Sequence, residues 1–246
     1  MRKIIALVVA SLAVTPALAQ TQAQPIGECR FDPASLTFAG TPLEQAKCLL
    51  RKIELKAVRK EQPLPAVITR LMSEGGAPSA AHKVAALAAF PEPYRTYARQ
   101  YADAPVSHTE EGQPLLYFVI HDTSHPFYAN EPFPKRLDQD WKVNDFAPYM
   151  DQTFAKAPVA HIFLNRVGQI WAGHEFQEPW RATKLESRVV GSRARGRFVH
   201  IETVQPRRFL PGATSRAETY GPKPGFTKEQ YRMLAALYVY VSARAG

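Results

Sequence analysis

Cysteine is nearly missing from this chain: Cys29 and Cys48 are the two present among 246 residues. Two thiols build neither a disulfide-rich scaffold nor a Cys-rich zinc finger. Long apolar runs are missing too, apart from one short stretch at the start. With a mean hydropathy of -0.26, that excludes a multi-span membrane protein. No Gly-rich phosphate loop, GxSxG elbow or HExxH helix occurs. What is present is material for a core: 46% of residues are hydrophobic and 11% aromatic, which excludes a disordered tail or a collagen-like repeat. The 21 prolines are scattered rather than repeated. The length suits one domain of roughly 130 to 200 residues with an appendage.

Residues 1–19 read MRKIIALVVASLAVTPALA. Arg2 and Lys3 form a basic start, a short apolar run follows, Pro16 breaks it, and Ala17-Leu18-Ala19 fits a small-x-small cleavage site. The run is too short to span a bilayer of about 30 Å, so the segment reads as a removable signal peptide. The mature chain is then expected outside the cytosol, periplasmic or extracellular, with no transmembrane segment. An oxidising compartment makes Cys29 and Cys48 a candidate disulfide, the alternative being two buried thiols. Their spacing and the lack of a nearby His argue against a metal pair. Cleavage removes Arg2 and Lys3 and takes the formal charge from +9 to +7. A basic chain suits anionic partners: nucleic acid, lipid headgroups or cell-wall polymers. Export makes nucleic acid the weakest of these, and a solvated basic surface is the plain alternative.

The mature chain divides at Pro114. Residues 20–113 read as a helical N-terminal region. Thr41-Pro42-Leu43-Glu44 gives an N-cap, a proline at the first helical position and a capping-box partner, with helical spacing continuing toward Pro63. A second helix is expected from about 79 to 89 and a short one over 93–103; His82 is a surface residue on the former. Residues 114–246 change character. The unbroken apolar run 115–120 reads as a strand buried on both faces. A polar, His-bearing segment follows it. Residues 127–150 read as a long loop, 160–172 as a strand–turn–strand and 197–205 as a third buried strand. Residues 206–225 read as loop. A last helix opens with Thr227 as N-cap and Gln230 as its partner, and Leu234, Leu237, Tyr238 and Val241 line one face. The order predicts an α/β fold with a central mixed sheet flanked by helices.

Two constellations carry possible chemistry. His121 sits at the end of a strand, where an imidazole leaving the core can take a metal or move a proton; a satisfied structural histidine is the alternative. In Val199-His200-Ile201-Glu202-Thr203, period-2 geometry puts His200 and Glu202 on one face. Burying both is costly unless they are paired or used. Glu202 then serves as general base, with His200 as ligand or helper. Equally, Glu202 forms a buried pair with His200 or with an arginine. His161 reads as a buried hydrogen-bonding residue, His174 as a loop residue, and His125 as a possible neighbour of His121.

Four blocks together resemble the zinc-dependent N-acetylmuramoyl-L-alanine amidases, the type-2 amidases related to peptidoglycan recognition proteins. They are Tyr117-Phe-Val-Ile-His121-Asp-Thr-Ser, Ala160-His161-Ile-Phe-Leu-Asn-Arg-Val-Gly168-Gln-Ile-Trp171, Phe198-Val-His-Ile-Glu202, and Phe226-Thr227 with Gln230-Tyr231, Leu234 and Leu237. The match covers about 114–246. It implies an amidase-like α/β domain, a Zn2+ cofactor, and hydrolysis of the amide between N-acetylmuramic acid and L-alanine in peptidoglycan (muropeptides) by a zinc-activated water. His121 takes the place of the first zinc ligand, Glu202 that of the acidic residue acting on the water, and His161 that of a supporting histidine. Departures exist as well. Ala160 stands where the family often has a Tyr, and Thr183-Lys184-Leu185-Glu186 where many members carry Trp-His-Ala-Gly. His200 stands where Gly is usual and is the substitute ligand. The family's remaining ligands follow the last helix, so the resemblance implies a domain without its C-terminal ligand segment. The alternative function is a non-catalytic peptidoglycan-binding module with the same fold; an unrelated exported hydrolase is a third reading.

Overall fold

The structure, a computed structural model, describes residues 25–26, 29–50, 63–74, 78–102, 105–128, 132–150, 158–183, 185–213 and 218–245. The signal segment 1–19 and the helical spacing across 51–62 lie outside the described residues. The fold is α/β with a mixed sheet. Three short antiparallel strands come first, β1 (Pro25–Ile26), β2 (Cys29–Asp32) and β3 (Thr37–Phe38), followed by helices α1 (Pro42–Leu49), α2 (Ala66–Ser73), α3 (Ala80–Ala88) and α4 (Tyr94–Ala102). The central sheet holds β4 (Tyr117–Asp122), β5 (Ile162–Leu164), β6 (Ile170–Ala172) and β7 (Phe198–Thr203). A four-residue helix α5 (Ala147–Met150) precedes β5, a small hairpin β8 (Arg208–Phe209) and β9 (Thr219–Tyr220) follows β7, and α6 (Lys228–Ala245) ends the described chain. Among the described residues no helix is long and apolar enough to cross a membrane.

The sheet order is β4-β7-β5-β6, with β7 parallel to both neighbours and β5–β6 an antiparallel hairpin. Alternation along the strands sorts the side chains onto two faces. One face is largely apolar, with Asp122 and Thr203 at its C-terminal end. Val199, Ile201, Ile162 and Leu164 pack there against Met233, Leu234, Leu237 and Val241 of α6 and against Leu87, Tyr94 and Ala98 of α3 and α4. The other face carries Phe198, His200 and Glu202 of β7 beside Tyr117, Val119 and His121 of β4. At its N-terminal end Phe31, Leu36 and Phe198 form a small core. At its C-terminal end Phe163, Tyr149, Tyr128 and Val204 form another. The polar side chains lie in the band between.

Several expectations change. The N-terminal region, read as helical, opens with the β1–β3 meander. Its turn is held by Asp32, whose carboxylate accepts from the Ala34 and Ser35 amides at 2.9 and 3.3 Å. Strands of two residues carry no readable period, which is why the helical reading missed them. The strand expected to be buried on both faces, β4, is an edge of the sheet: Leu116 and Ile120 are 52% and 49% exposed. An apolar run is equally compatible with edge and centre, and only the pairing order decides. Tyr238, expected on the buried face of α6, is 54% exposed and meets Phe118 edge-on at 5.6 Å. Residues 206–225 contain the β8–β9 hairpin. Cys29 and Cys48 form a disulfide that ties β2 to α1, with Cα atoms 5.6 Å apart.

The N-terminus of α6 anchors the C-terminal end of the sheet. The Thr227 amide donates to Gln230 Oε1 at 2.9 Å and the Gln230 amide to Thr227 Oγ1 at 3.1 Å. The Thr227 hydroxyl also donates to the Arg166 carbonyl at 2.7 Å, and Gln230 Nε2 to the Val204 carbonyl at 2.9 Å. Arg166, 2% exposed, donates in turn to Asp138 and Gln205. Thr227→Ala should therefore lower stability by about 1–2 kcal/mol in urea unfolding, with Thr227→Ser retaining most of it. An unchanged midpoint for the alanine variant would show that the cap does not hold this end of the sheet.

Candidate functional site

The parallel register places His121 opposite Glu202 and Val119 opposite His200, on strands about 4.8 Å apart. His121 and His200 meet directly: Nε2 of His121 and Nδ1 of His200 are 3.0 Å apart. The other nitrogen of His200 lies 3.3 Å from Glu186 Oε1, and both residues are fully buried. Glu186 lies on a π-helical turn, Glu186–Val190. Its Oε2 accepts from the Thr183 amide at 2.9 Å, the Thr183 hydroxyl at 2.7 Å and the Ala182 amide at 3.3 Å. Burial pushes the Glu186 carboxyl up, but the His200 and Thr183 contacts outweigh it, and the net shift is downward. Of the alternatives left open by the sequence, a His200–Glu202 pair does not form; His200 pairs with Glu186 instead.

His161 supports this pair from beneath. Its Nδ1 accepts from the His200 amide at 3.1 Å, its Nε2 donates to the Glu178 carbonyl at 3.0 Å, and its ring stacks on His200 at 5.7 Å. Both nitrogens are committed, so His161 holds its neighbour in place. Burial lowers its imidazole to about 4, with the Glu178 bond opposing. His121 is also held at about 4, by burial first and by His200 second, against the pull of Glu186. His174 lies in the loop after β6, where Glu178 Oε2 and the Pro158 carbonyl take its two nitrogens at 2.9 and 2.8 Å. His125 touches the Tyr149 ring edge-on at 5.9 Å, and burial lowers its pKa. His82 is exposed on α3, as its helical position implied.

Glu202 stands apart from the histidine chain. Its Oε2 is buried without a hydrogen-bond partner, and an unpaired buried acceptor costs about 1–3 kcal/mol. Burial first, then the Asp122 carboxylate, push its carboxyl up to about 7. Asp122 is itself held by Arg207 and by the Ser124 amide at 2.7 Å. Tyr149 lies within electrostatic reach of Glu202 and Asp122, and burial raises its phenol. Its hydroxyl donates to the His125 carbonyl at 3.3 Å.

Sequence reasoning found His121, His161, His200 and Glu202 and missed Glu186 and Tyr149. Thr183-Lys184-Leu185-Glu186 does carry a signal, since its first and last residues form a capping-box pair. Nothing local marks Tyr149. A zinc ion held by protein alone takes three or more donors. Among the described residues no three His, Cys, Asp or Glu side chains are placed so as to hold one metal ion together, and the facing nitrogens of His121 and His200 are bonded to each other. The donor set described does not by itself fit the zinc that the resemblance implies. No family model, curated protein or solved structure matches this chain.

The shifts fix signs for stability. A Glu202 carboxyl at about 7 against an ordinary 4.5 binds its proton more tightly folded than unfolded. Stability then falls as pH rises from about 4.5 to 7. Glu202→Gln should be more stable than the parent at pH 8 by on the order of 2–3 kcal/mol and nearly equal at pH 4. Urea midpoints at the two pH values measure this, and parallel curves would disprove the burial argument. His161 has the opposite sign: its lowered pKa removes stability as pH falls from 6.5 toward about 4.

Proposed function

We propose that the protein is an exported peptidoglycan hydrolase with an amidase-like domain, cleaving the amide between N-acetylmuramic acid and L-alanine. Glu202 carries this reading: a half-buried carboxyl at about 7 whose buried Oε2 has no hydrogen-bond partner, beside His121 in the parallel register. A general base works best when its pKa lies near the working pH. As carboxylate, Glu202 takes a proton from the attacking water; as carboxylic acid, it returns the proton to the leaving amine. His121, neutral at that pH, borders the same space. The choice of substrate rests on the four blocks that resemble the amidases, which come together in this one sheet and α6. The leader and the +7 mature charge also suit an anionic wall polymer.

One rival is a wall-binding module without hydrolysis, favoured by the bond that His121 and His200 make to each other. Digestion of purified sacculi followed by muropeptide analysis separates the two, with the protein's zinc content measured alongside. Release of free stem peptides is expected, with at least a 100-fold loss in Glu202→Gln and in His121→Ala. Sacculus pull-down with no peptide release by the parent protein would overturn the hydrolase reading in favour of the binding module.

A further inference from the structure

We propose that Glu186 and His200 are positioning residues that fix the tautomer of His121, so that its Nδ1 presents a lone pair to the site. It rests on the reading of His121 as a member of that site. The inference follows from proton accounting along one buried chain. Glu186 Oε2 already accepts from three N–H and O–H donors at Ala182 and Thr183. Oε1 faces only His200 Nε2, at 3.3 Å. A carboxylate is purely an acceptor, so the hydrogen of this contact sits on His200 Nε2.

With one proton per imidazole, His200 Nδ1 is then an acceptor. The group facing it at 3.0 Å, His121 Nε2, must be the donor. The proton of His121 is thereby consumed, and its Nδ1 is left as an acceptor. Among the described residues Nδ1 has no hydrogen-bond partner. His200 cannot turn away to relax the chain. Its amide is bonded to His161 Nδ1 at 3.1 Å, and its ring lies against the His161 ring at 18°. The first two members of the chain, Glu186 and His200, are 0% exposed. The function of the device is to choose which nitrogen of His121 is basic, a choice that a solvent-exposed imidazole leaves to a mixture of tautomers.

Glu186→Gln tests the direction of the chain without changing its shape. The Gln carbonyl is expected to take the Thr183 and Ala182 donors, which leaves its NH2 facing His200 Nε2. The whole chain then reverses, and His121 carries its proton on Nδ1. Long-range 15N–1H spectra at pH 8 read the tautomer directly. The parent should show His121 protonated on Nε2, with a through-hydrogen-bond nitrogen–nitrogen coupling to His200 Nδ1, and Glu186→Gln should show it protonated on Nδ1. The coupling in the parent keeps the test decisive if the variant does not fold. A parent protonated on Nδ1, or a folded Glu186→Gln with the parent tautomer, overturns the inference. On sacculi, the reversed tautomer should lower kcat about 10- to 100-fold with KM unchanged; a reversal that leaves kcat unchanged overturns the positioning role. The spectra do not depend on hydrolysis, so a failed hydrolase reading and a failed tautomer inference give different results.

Discussion

The structure depends on the burial of one carboxylate. Glu186 is fully buried, and an unpaired charge in such a place would cost several kcal/mol. Four donors meet it: two backbone amides, the Thr183 hydroxyl and His200. Each needs a different element in register. Thr183 needs the tight turn before the π-helical segment, and His200 needs β7 central in the sheet. His200 in turn needs His161, the residue before β5, beneath it. The polar band therefore constrains three segments far apart in sequence, while the apolar face of the same sheet tolerates ordinary repacking against α6.

This explains why the face splits into two small cores. Phe31, Leu36 and Phe198 close the N-terminal end, with the Phe198 ring 6.4 Å from that of His200. Phe163 and Tyr149 close the C-terminal end. Water is kept from the band between them, which is what moves Glu202, His121 and His161 away from their ordinary pKa values. The β1–β3 meander and its disulfide thus act on the site although they carry none of its groups. Tyr117 makes the connection: its ring stacks on Phe198 at 5.1 Å and its hydroxyl accepts from the Phe38 amide at 2.7 Å.

Periodicity made much of the sheet legible. The β5–β6 hairpin, β7 and the capped α6 follow from alternation, a turn at Asn165–Gly168 and a reciprocal cap, all local signals. The shared face of His200 and Glu202 followed from the period-2 rule alone. What stayed hidden was long-range. Whether β4 lies at an edge depends on pairing order, and Glu186 reaches His200 only after the chain folds back from the 185–194 segment. The sequence contained two partners for His200, Glu202 two residues away and Glu186 fourteen away. The folded chain gives the nearer one no bond to His200, whose two ring nitrogens face Glu186 and His121.

That pairing separates two roles which the sequence had merged. Two carboxylates attend three histidines, and their surroundings push them in opposite directions. Glu186, ringed by donors, is held ionised and serves as an anchor. Glu202, with one oxygen unpartnered and Asp122 nearby, is held near neutrality and retains a proton that can move. Pairs of titratable groups driven apart by environment mark acid–base sites more reliably than any single shifted residue. The same separation would be of no use to a purely structural band, where pairing Glu202 as fully as Glu186 would remove the cost of its orphaned oxygen. The orphaned Oε2 of Glu202, with Thr203 Oγ1 and Arg207 Nε beside it, puts a local stability cost at the end of the sheet where the proposed acid–base group lies.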